Sequence, residues 1–505
     1  MLEHYVKKIL ASRVYDVALE TPLYEARILS RRLNNRVFLK REDLQPVFSF
    51  KLRGSYNKMV QLSAEQRARG VIAASAGNHA QGVALAADKL GIRAHIVMGR
   101  NTPEIKVAAV RDLGGRVIMH GDTFDDAAGH ANELMAKHGY VFVHPFDDPD
   151  VIAGQGTVGM EILNQHGAPL HAIFVPVGGG GLIAGVSAYV KYLRPDVKII
   201  GVEADGSACM AAALAAKRRV TLPSESLDMF ADGTSVARVG EHTFKVARRC
   251  VDEVIVVSTD EICGAIKDIF DDTRSIAEPS GALAVAGMKK YLARRQTNGE
   301  DLVAIVSGAN VNFDRLRHIS ERAELGEKRE AILGVTIPEK PGSFRAFCKT
   351  LGKRNVTEFN YRYADAEQAK VFVGVQIAPN GDRGELSATL KSAGYAVEDM
   401  TDNELAKLHV RHMVGGRVNG GKPEILYRFE FPERPGALMQ FLLGLGERWN
   451  ITMFHYRNHG AAWGRVLIGF DAPCSARAEL AGFLDRIGYR YSEETDNAAY
   501  QMFLR

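Results

Sequence analysis

The chain has 505 residues, 46% of them hydrophobic, and a net charge of +4 from 64 basic and 60 acidic residues. That length accommodates three or four domains with large cores, and the mixed charge, with no basic stripe or acidic tail, points to neither nucleic acid nor a membrane surface. Five scattered cysteines, Cys209, Cys250, Cys263, Cys348 and Cys474, form no CxxC pair or Cys/His cluster, which argues against a disulfide framework or structural zinc.

The chain begins MLEHYVKKILASRVYD, an amphipathic stretch without a signal-peptide core, and no apolar run reaches the length of a membrane span. A soluble protein of a reducing compartment, the cytoplasm, is expected. From about 35 to 320, short apolar runs alternate with helical patterns: RVFLKRED (36–43), GVIAAS (70–75), AHIVMG (94–99), RVIMHG (116–121), AIFVPVG (172–178), KIIGVEA (198–204) and LVAIVSG (302–308). HAQGVALAADKLG (79–91) and TPEIKVAAVRDLGG (102–115) are helical stretches between them. Strands apolar on both faces with helices between them predict a layered α/β fold with a largely parallel sheet. Ligands in such folds bind at the carboxyl ends of the strands.

Several loops there carry chemistry. In FSFKLRG (48–54), Lys51 follows Phe48, Ser49 and Phe50 at a helix start. A lysine held dry and partly deprotonated can attack a carbonyl and form a Schiff base. The alternative is a solvated lysine beside two core aromatics. VIAASAGNHAQG (71–82) places Ser75, Gly77 and Asn78 at a helix N-terminus, either an anion site or an ordinary capped turn. VPVGGGGLIAG (175–185) leaves backbone N–H groups bare after a buried strand and suits a phosphate. Gly179-x-Gly181-x-x-Ala184, with Glu203 at the end of the next strand, also fits a dinucleotide fingerprint, so a nicotinamide dehydrogenase competes. VSGANVNF (306–313) offers Ser307 and Asn310 at a strand end. GRVNGGKP (416–423) resembles a P-loop, but Pro423 stands where Ser or Thr is needed.

The last third repeats. PEKPG at Pro338 recurs as PERPG at Pro432, and TEFNYR at Thr357 recurs as TMFHYR at Thr452. Each copy reads strand, helix, strand, strand, helix, strand, the plan of a ferredoxin-like domain.

The motifs SFKLRG, SAGNHAQG, GGGGL and SGAN, in that order, resemble those of the serine/threonine dehydratases among the fold-type II pyridoxal-phosphate enzymes. The duplicated module resembles the paired ACT-like regulatory domains of the biosynthetic threonine dehydratases, and the resemblance covers nearly the whole chain. It implies an α/β core of two open sheets, tryptophan synthase β-like, at 1–322. It further implies ACT-like βαββαβ domains at 329–400 and 424–500, joined by a linker helix and loop at 401–423. The implied activity is that of a carbon–nitrogen lyase, deaminating L-threonine to 2-oxobutanoate and ammonia in isoleucine biosynthesis. Isoleucine would inhibit, valine would oppose it, and a homotetramer would couple the two ends.

By the same resemblance Lys51 would hold pyridoxal 5'-phosphate, with Phe50 lining the ring's pocket. Gly178, Gly179, Gly180, Gly181 and Leu182 would hold the phosphate, Asn78 the ring hydroxyl, and Ser307 would face the pyridine nitrogen. The substrate carboxylate would sit on Ser75, Ala76, Gly77, Asn78 and His79. Related racemases carry a second serine where this chain has Ala76, so a dehydratase is expected. A metal found in some relatives is not expected, because Cys209 stands where an acidic ligand would be. Effector-lining candidates are Phe359, Tyr361, Phe454 and Tyr456, near the PEKPG and PERPG turns, unless they are core. A serine-preferring dehydratase and a non-enzymatic amino-acid sensor remain as alternatives.

Overall fold

A computed structural model describes the chain except residues 101, 122–123, 224–225, 228, 314, 327–328, 353, 364, 378–381, 404–405, 407–409, 411–422, 433–436, 446–448, 458–462, 498–499, 501–503 and 505. The P-loop-like stretch at 416–423, apart from Pro423, and the last four residues of PERPG lie outside the described residues. The chain divides into two compact units, Met1–Gly326 and Glu327–Arg505.

The first unit contains β1 (Leu23–Glu25), β2 (Arg36–Arg41), β3 (Val71–Ala74), β4 (Ala94–Met98), β5 (Arg116–Met119), β6 (Val141–Phe142), β7 (Ala172–Pro176), β8 (Lys198–Ala204), β9 (Glu253–Val257) and β10 (Asp301–Val306). They form a six-stranded sheet, β1-β2-β10-β7-β8-β9, and a four-stranded sheet, β5-β4-β3-β6. Only β1 pairs antiparallel; the other pairs run parallel. The predicted runs all become strands. The central ones, β3, β7 and β10, are buried at every residue, as expected when helices cover both faces.

The helix Lys51–Val60 packs against the helices Asn78–Leu90 and Pro149–Gln165. Glycines set the spacing. A Cβ on Gly154 would lie 2.6 Å from the Arg53 carbonyl oxygen, and one on Gly82 3.0 Å from the Leu52 nitrogen. Backbones that close leave the helix after Lys51 no room to shift.

A buried ionic cluster fixes the same helix. Arg53, Glu42, Lys40 and Glu161 are at most 1% exposed. Arg53 bonds Glu42 at 2.7 Å and Glu161 at 2.5 Å, and Lys40 bonds Glu161 at 2.6 Å. Thr21, Gln45 and Tyr15 bond the remaining carboxylate positions. Burial alone would raise the Glu42 pKa, but the charge and hydrogen bond of Arg53, the Thr21 hydrogen bond and the Lys40 charge together hold the carboxyl below its usual range.

The second unit contains β11 (Glu330–Pro338), β12 (Val356–Arg362), β13 (Gln368–Gln376), β14 (Ala396–Asp399), β15 (Glu424–Pro432), β16 (Asn450–Arg457), β17 (Trp463–Asp471) and β18 (Arg490–Glu493). They build one eight-stranded antiparallel sheet, β14-β11-β13-β12-β16-β17-β15-β18. Each repeat supplies four neighbouring strands. The two meet where β12 pairs β16, Phe359 opposite Tyr456 and Tyr361 opposite Phe454. The repeat is faithful in detail: both copies shift register at the same place, between Val356 and Glu358 and between Ile451 and Met453. It also continues beyond residue 400, since TDNELAKLHVR (401–411) recurs as TDNAAYQMFLR (495–505). Thr401 and Thr495 accept from the N–H groups of Ile332 and Leu426, both at 3.0 Å. Among the described residues, no helix in either unit is long and apolar enough to cross a membrane.

Candidate active site

Five segments meet at the carboxyl ends of the parallel strands. The first carries Lys51, the first residue of its helix. The loop before it is stitched to the end of β10: Ser49 bridges Gly308, the Phe50 N–H donates to the Ser307 carbonyl at 3.3 Å, and the Ala309 N–H to that of Phe48 at 2.9 Å. The Lys51 amine donates to the Pro145 carbonyl at 3.3 Å and lies 5.3 Å from the Phe50 ring centre. Burial pushes its pKa down to about 8, against an opposing pull from Glu278. The lysine is half-buried and bonded to a carbonyl, not freely solvated, and a useful fraction of its amine is neutral near physiological pH.

The second segment is the Ser75–His79 turn, between β3 and the helix Asn78–Leu90. Ser75 accepts from the Gly77 N–H at 3.2 Å. The N–H groups of Ala76, Asn78 and His79 have no protein acceptor among the described residues. Open donors at a helix N-terminus suit a carboxylate. The His79 ring points elsewhere, its nitrogens near the Val143 carbonyl at 2.7 Å and the Ser55 hydroxyl at 3.4 Å. Burial, aided by the Lys51 charge, drives its pKa down to about 3, so the imidazole is a neutral core group.

The third segment is the glycine loop. It follows β7 and opens the helix Gly181–Leu193. Gly180 has φ of 95°, a left-handed conformation that a side chain would strain. A Cβ on Gly179 would fall 2.3 Å from the Phe146 ring. Packing against Phe146 thus explains part of the glycine run. The remaining feature is electrostatic: the N–H groups of Gly178 to Leu182 have no protein acceptor among the described residues. Such a set of open donors suits a phosphate.

The fourth segment is the end of β10. The Ser307 hydroxyl is buried and has only a long bond, 3.4 Å, to the Ser280 carbonyl.

The fifth segment is EPSG (278–281), where the helix Pro279–Arg295 begins. The Asn78 amide nitrogen donates to Glu278 at 2.6 Å, and Asn310 donates to the Asn78 amide oxygen at 2.6 Å. Burial and the nearby Asp232 charge push the Glu278 pKa up to about 7. The sequence reading did not single out Glu278, nor Phe146 and Pro145 in the HPFDD loop. Glu278 ends no strand; its one signal is an acid directly before a Pro-started helix.

Glu203 has a structural task. Its two carboxylate oxygens accept from the Met210 and Ala211 N–H groups, both at 2.8 Å, at the start of the helix Cys209–Ala215. Fully buried and bonded to that helix start, it is out of reach of a ribose, which removes the support for a dinucleotide site. Among the described residues no cluster of His, Cys, Asp and Glu has the form of a metal site.

In the second unit, Phe359, Tyr361, Phe454 and Tyr456 are all buried in one apolar core. A cavity at the repeat junction is lined instead by Lys340, Phe344, Leu442, Trp449 and Ile451, among others. The Phe344 ring lies between that cavity and the four aromatics, 5.4 Å from Phe359 and 5.0 Å from Tyr361.

Residues 14–308 match the family model described as pyridoxal-phosphate dependent enzyme. Residues 321–410 and 415–504 each match the C-terminal regulatory domain of threonine dehydratase. The chain is similar to the biosynthetic L-threonine dehydratase IlvA of Burkholderia multivorans, 57% identical over 503 residues, 99% of each chain. It is 53% identical over 501 residues to that of Escherichia coli, covering 99% of this chain and 97% of the relative. Among solved structures, the processed form of threonine deaminase isoform 2 from Solanum lycopersicum is 52% identical, with a TM-score of 0.62, covering 64% of this chain and 93% of that one.

Proposed function

Because this chain belongs to the biosynthetic threonine dehydratases, pyridoxal-phosphate dependent enzymes with a duplicated regulatory domain, we propose that the five segments around Lys51 form its active site and the repeat junction its effector site. The enzyme deaminates L-threonine to 2-oxobutanoate and ammonia in isoleucine biosynthesis, and its cofactor is pyridoxal phosphate. The observation that carries the site assignment is a half-buried amine, Lys51, with a lowered pKa, within a shell of backbone donors that have no protein acceptor among the described residues.

The residues fit that cofactor. Gly178 to Leu182 bind its phosphate through their free N–H groups and the helix N-terminus behind them. Asn78 and Ser307 would meet the ring's hydroxyl and nitrogen, and Phe50 would line the pocket. When bound, the cofactor supplies an aldehyde that captures amines and a ring that draws electrons from the substrate Cα. Lys51 would hold the group until the substrate's amine displaces it, which frees its Nζ to take the Cα proton. The Ser75–His79 turn orients the substrate carboxylate through backbone N–H groups. Ser307 is neutral and does not force a proton onto the ring nitrogen. A ring so held would allow less charge build-up at Cα, which would favour loss of the β-hydroxyl over transamination. Ala76 brings no hydroxyl to the opposite face, so no second proton carrier stands there for racemisation.

Isoleucine inhibits and valine opposes it through the second unit, in a homotetramer that spreads the effect. The junction's lining supports this reading, since it sets a cation, Lys340, beside Leu442, Trp449 and Ile451; the cavity is about water-sized as it stands and would open to admit an amino acid. Effectors act only by preferring one state of the assembly. Deleting residues 327–505 is expected to leave threonine deamination and abolish isoleucine inhibition in steady-state assays. A truncated enzyme inhibited at the same isoleucine concentration as the full chain would place the effector site in the first unit.

A further inference from the structure

The Asn78 amide sits in a chain of hydrogen bonds that leaves it one orientation. Asn310 begins the chain. Its amide nitrogen donates to the Val47 carbonyl at 2.9 Å, and a backbone carbonyl only accepts. Asn310 therefore turns its NH2 inward, and that same nitrogen reaches the Asn78 Oδ1 at 2.6 Å. With its oxygen committed, Asn78 turns its own NH2 to Glu278, again at 2.6 Å. An amide NH2 has two hydrogens, so one N–H of Asn78 remains for a ligand, while the Asn78 oxygen is turned toward Asn310.

Glu278 is held as firmly as the group it holds. It is 5% exposed, and its backbone N–H donates to the Gly308 carbonyl at 3.1 Å. A Cβ on Gly308 would lie 2.4 Å from the Glu278 Oε1, so glycine at 308 makes room for this carboxyl. The charges acting on it are Asp232, Lys106 and Lys51.

We propose that Glu278 is a positioning residue, which with Asn310 locks the Asn78 amide so that it presents an N–H, never its oxygen, to the cofactor's ring oxygen. This rests on the reading that Asn78 contacts that oxygen. An N–H donor stabilises the ring oxygen in its ionised form; a carbonyl turned the same way would repel it. Freeing the amide to flip removes the donor for part of the population. It therefore weakens cofactor binding and disfavours the ionised ring oxygen on which the visible absorption depends.

The test uses full-length enzyme loaded with pyridoxal phosphate. It reads two quantities, the apparent dissociation constant for the cofactor and the ratio of visible to near-ultraviolet absorption. Glu278→Leu is expected to weaken cofactor binding about tenfold and to lower that ratio. Glu278→Gln keeps an acceptor for Asn78 and is expected to stay within about twofold of wild type on both. Asn310→Asp puts an acceptor where a donor stood, pushes Asn78 to flip, and is expected to act like Glu278→Leu; it decides the matter alone if the leucine variant does not fold. The proposal is overturned if folded Glu278→Leu and Asn310→Asp keep the wild-type ratio and affinity while Asn78→Ala loses both. If Asn78→Ala also leaves both unchanged, the contact beneath the proposal does not exist.

Discussion

Replacing Lys51 with alanine is expected to cut threonine turnover by at least ~10³-fold while the fold survives. One nitrogen serves as the attachment point of the cofactor and as the base at Cα, so no neighbour can take over half the task. Backbone N–H donors and the hydroxyl of Ser307 do not abstract protons at neutral pH, and Glu278 is bonded to Asn78. The fold should tolerate the change for a reason visible in the electrostatics. Burial lowers the Lys51 pKa to about 8, so below that pH the folded state carries a desolvated charge that the unfolded chain solvates freely. A depressed lysine pKa means stability rises as pH climbs from about 8 toward the ordinary value near 10.5, and is penalised at neutral pH. Removing the amine lifts that penalty. Alanine also favours the first turn of the helix Lys51–Val60. Turnover by Lys51→Ala within tenfold of wild type, in protein freed of wild-type contamination, would remove Lys51 from the mechanism.

Replacing Arg53 with methionine is expected to destabilise the first unit by about 3–5 kcal/mol. The side chain is fully buried and serves two carboxylates, Glu42 and Glu161. Methionine fills most of the volume but leaves Glu42 without its strongest cation, and Lys40 reaches only Glu161 among direct ion pairs. An uncompensated buried charge dominates the cost, well beyond the lost packing. Glu42 is held below its usual range, so its contribution is full at neutral pH and disappears as pH falls through the acid range. The variant's deficit should therefore shrink at low pH. A thermal midpoint lower by roughly 6–10 °C at neutral pH is the expected result. A midpoint within about 2 °C of wild type would show that the cluster adds nothing to stability.

Much of this was legible in the sequence because it is local. Strands buried on both faces read as continuous apolar runs, and β3, β7 and β10 stand where those runs are. Small residues between a strand and a helix marked the Ser75 turn and the glycine loop. The duplicated PEKPG and PERPG segments marked a module that occurs twice. Residues that act through long-range contacts were not legible. Asn78 and Glu278 are 200 positions apart, and Asn78 and Asn310 are 232 apart. No periodicity links residues at that range. Phe146 covers the glycine loop from a segment whose own pattern, HPFDD, reads as a turn. Glu203 looked like a ribose acid because it ends a strand, yet the helix start that follows takes both its oxygens. The four aromatics Phe359, Tyr361, Phe454 and Tyr456 share a face by alternation, and alternation marks a core face as readily as a pocket wall. The cavity residues Lys340 and Phe344 come from the turn and helix beside them.

The central claim is that pyridoxal phosphate sits on Lys51 and acts on threonine there. Borohydride reduction of the purified full-length enzyme, followed by peptide mapping, tests it most directly. The expected result is a pyridoxyl group on Lys51, with loss of the visible absorption and of 2-oxobutanoate production in step with the label. A pyridoxyl group fixed on a different lysine, or complete labelling of Lys51 with threonine deamination intact, would contradict it.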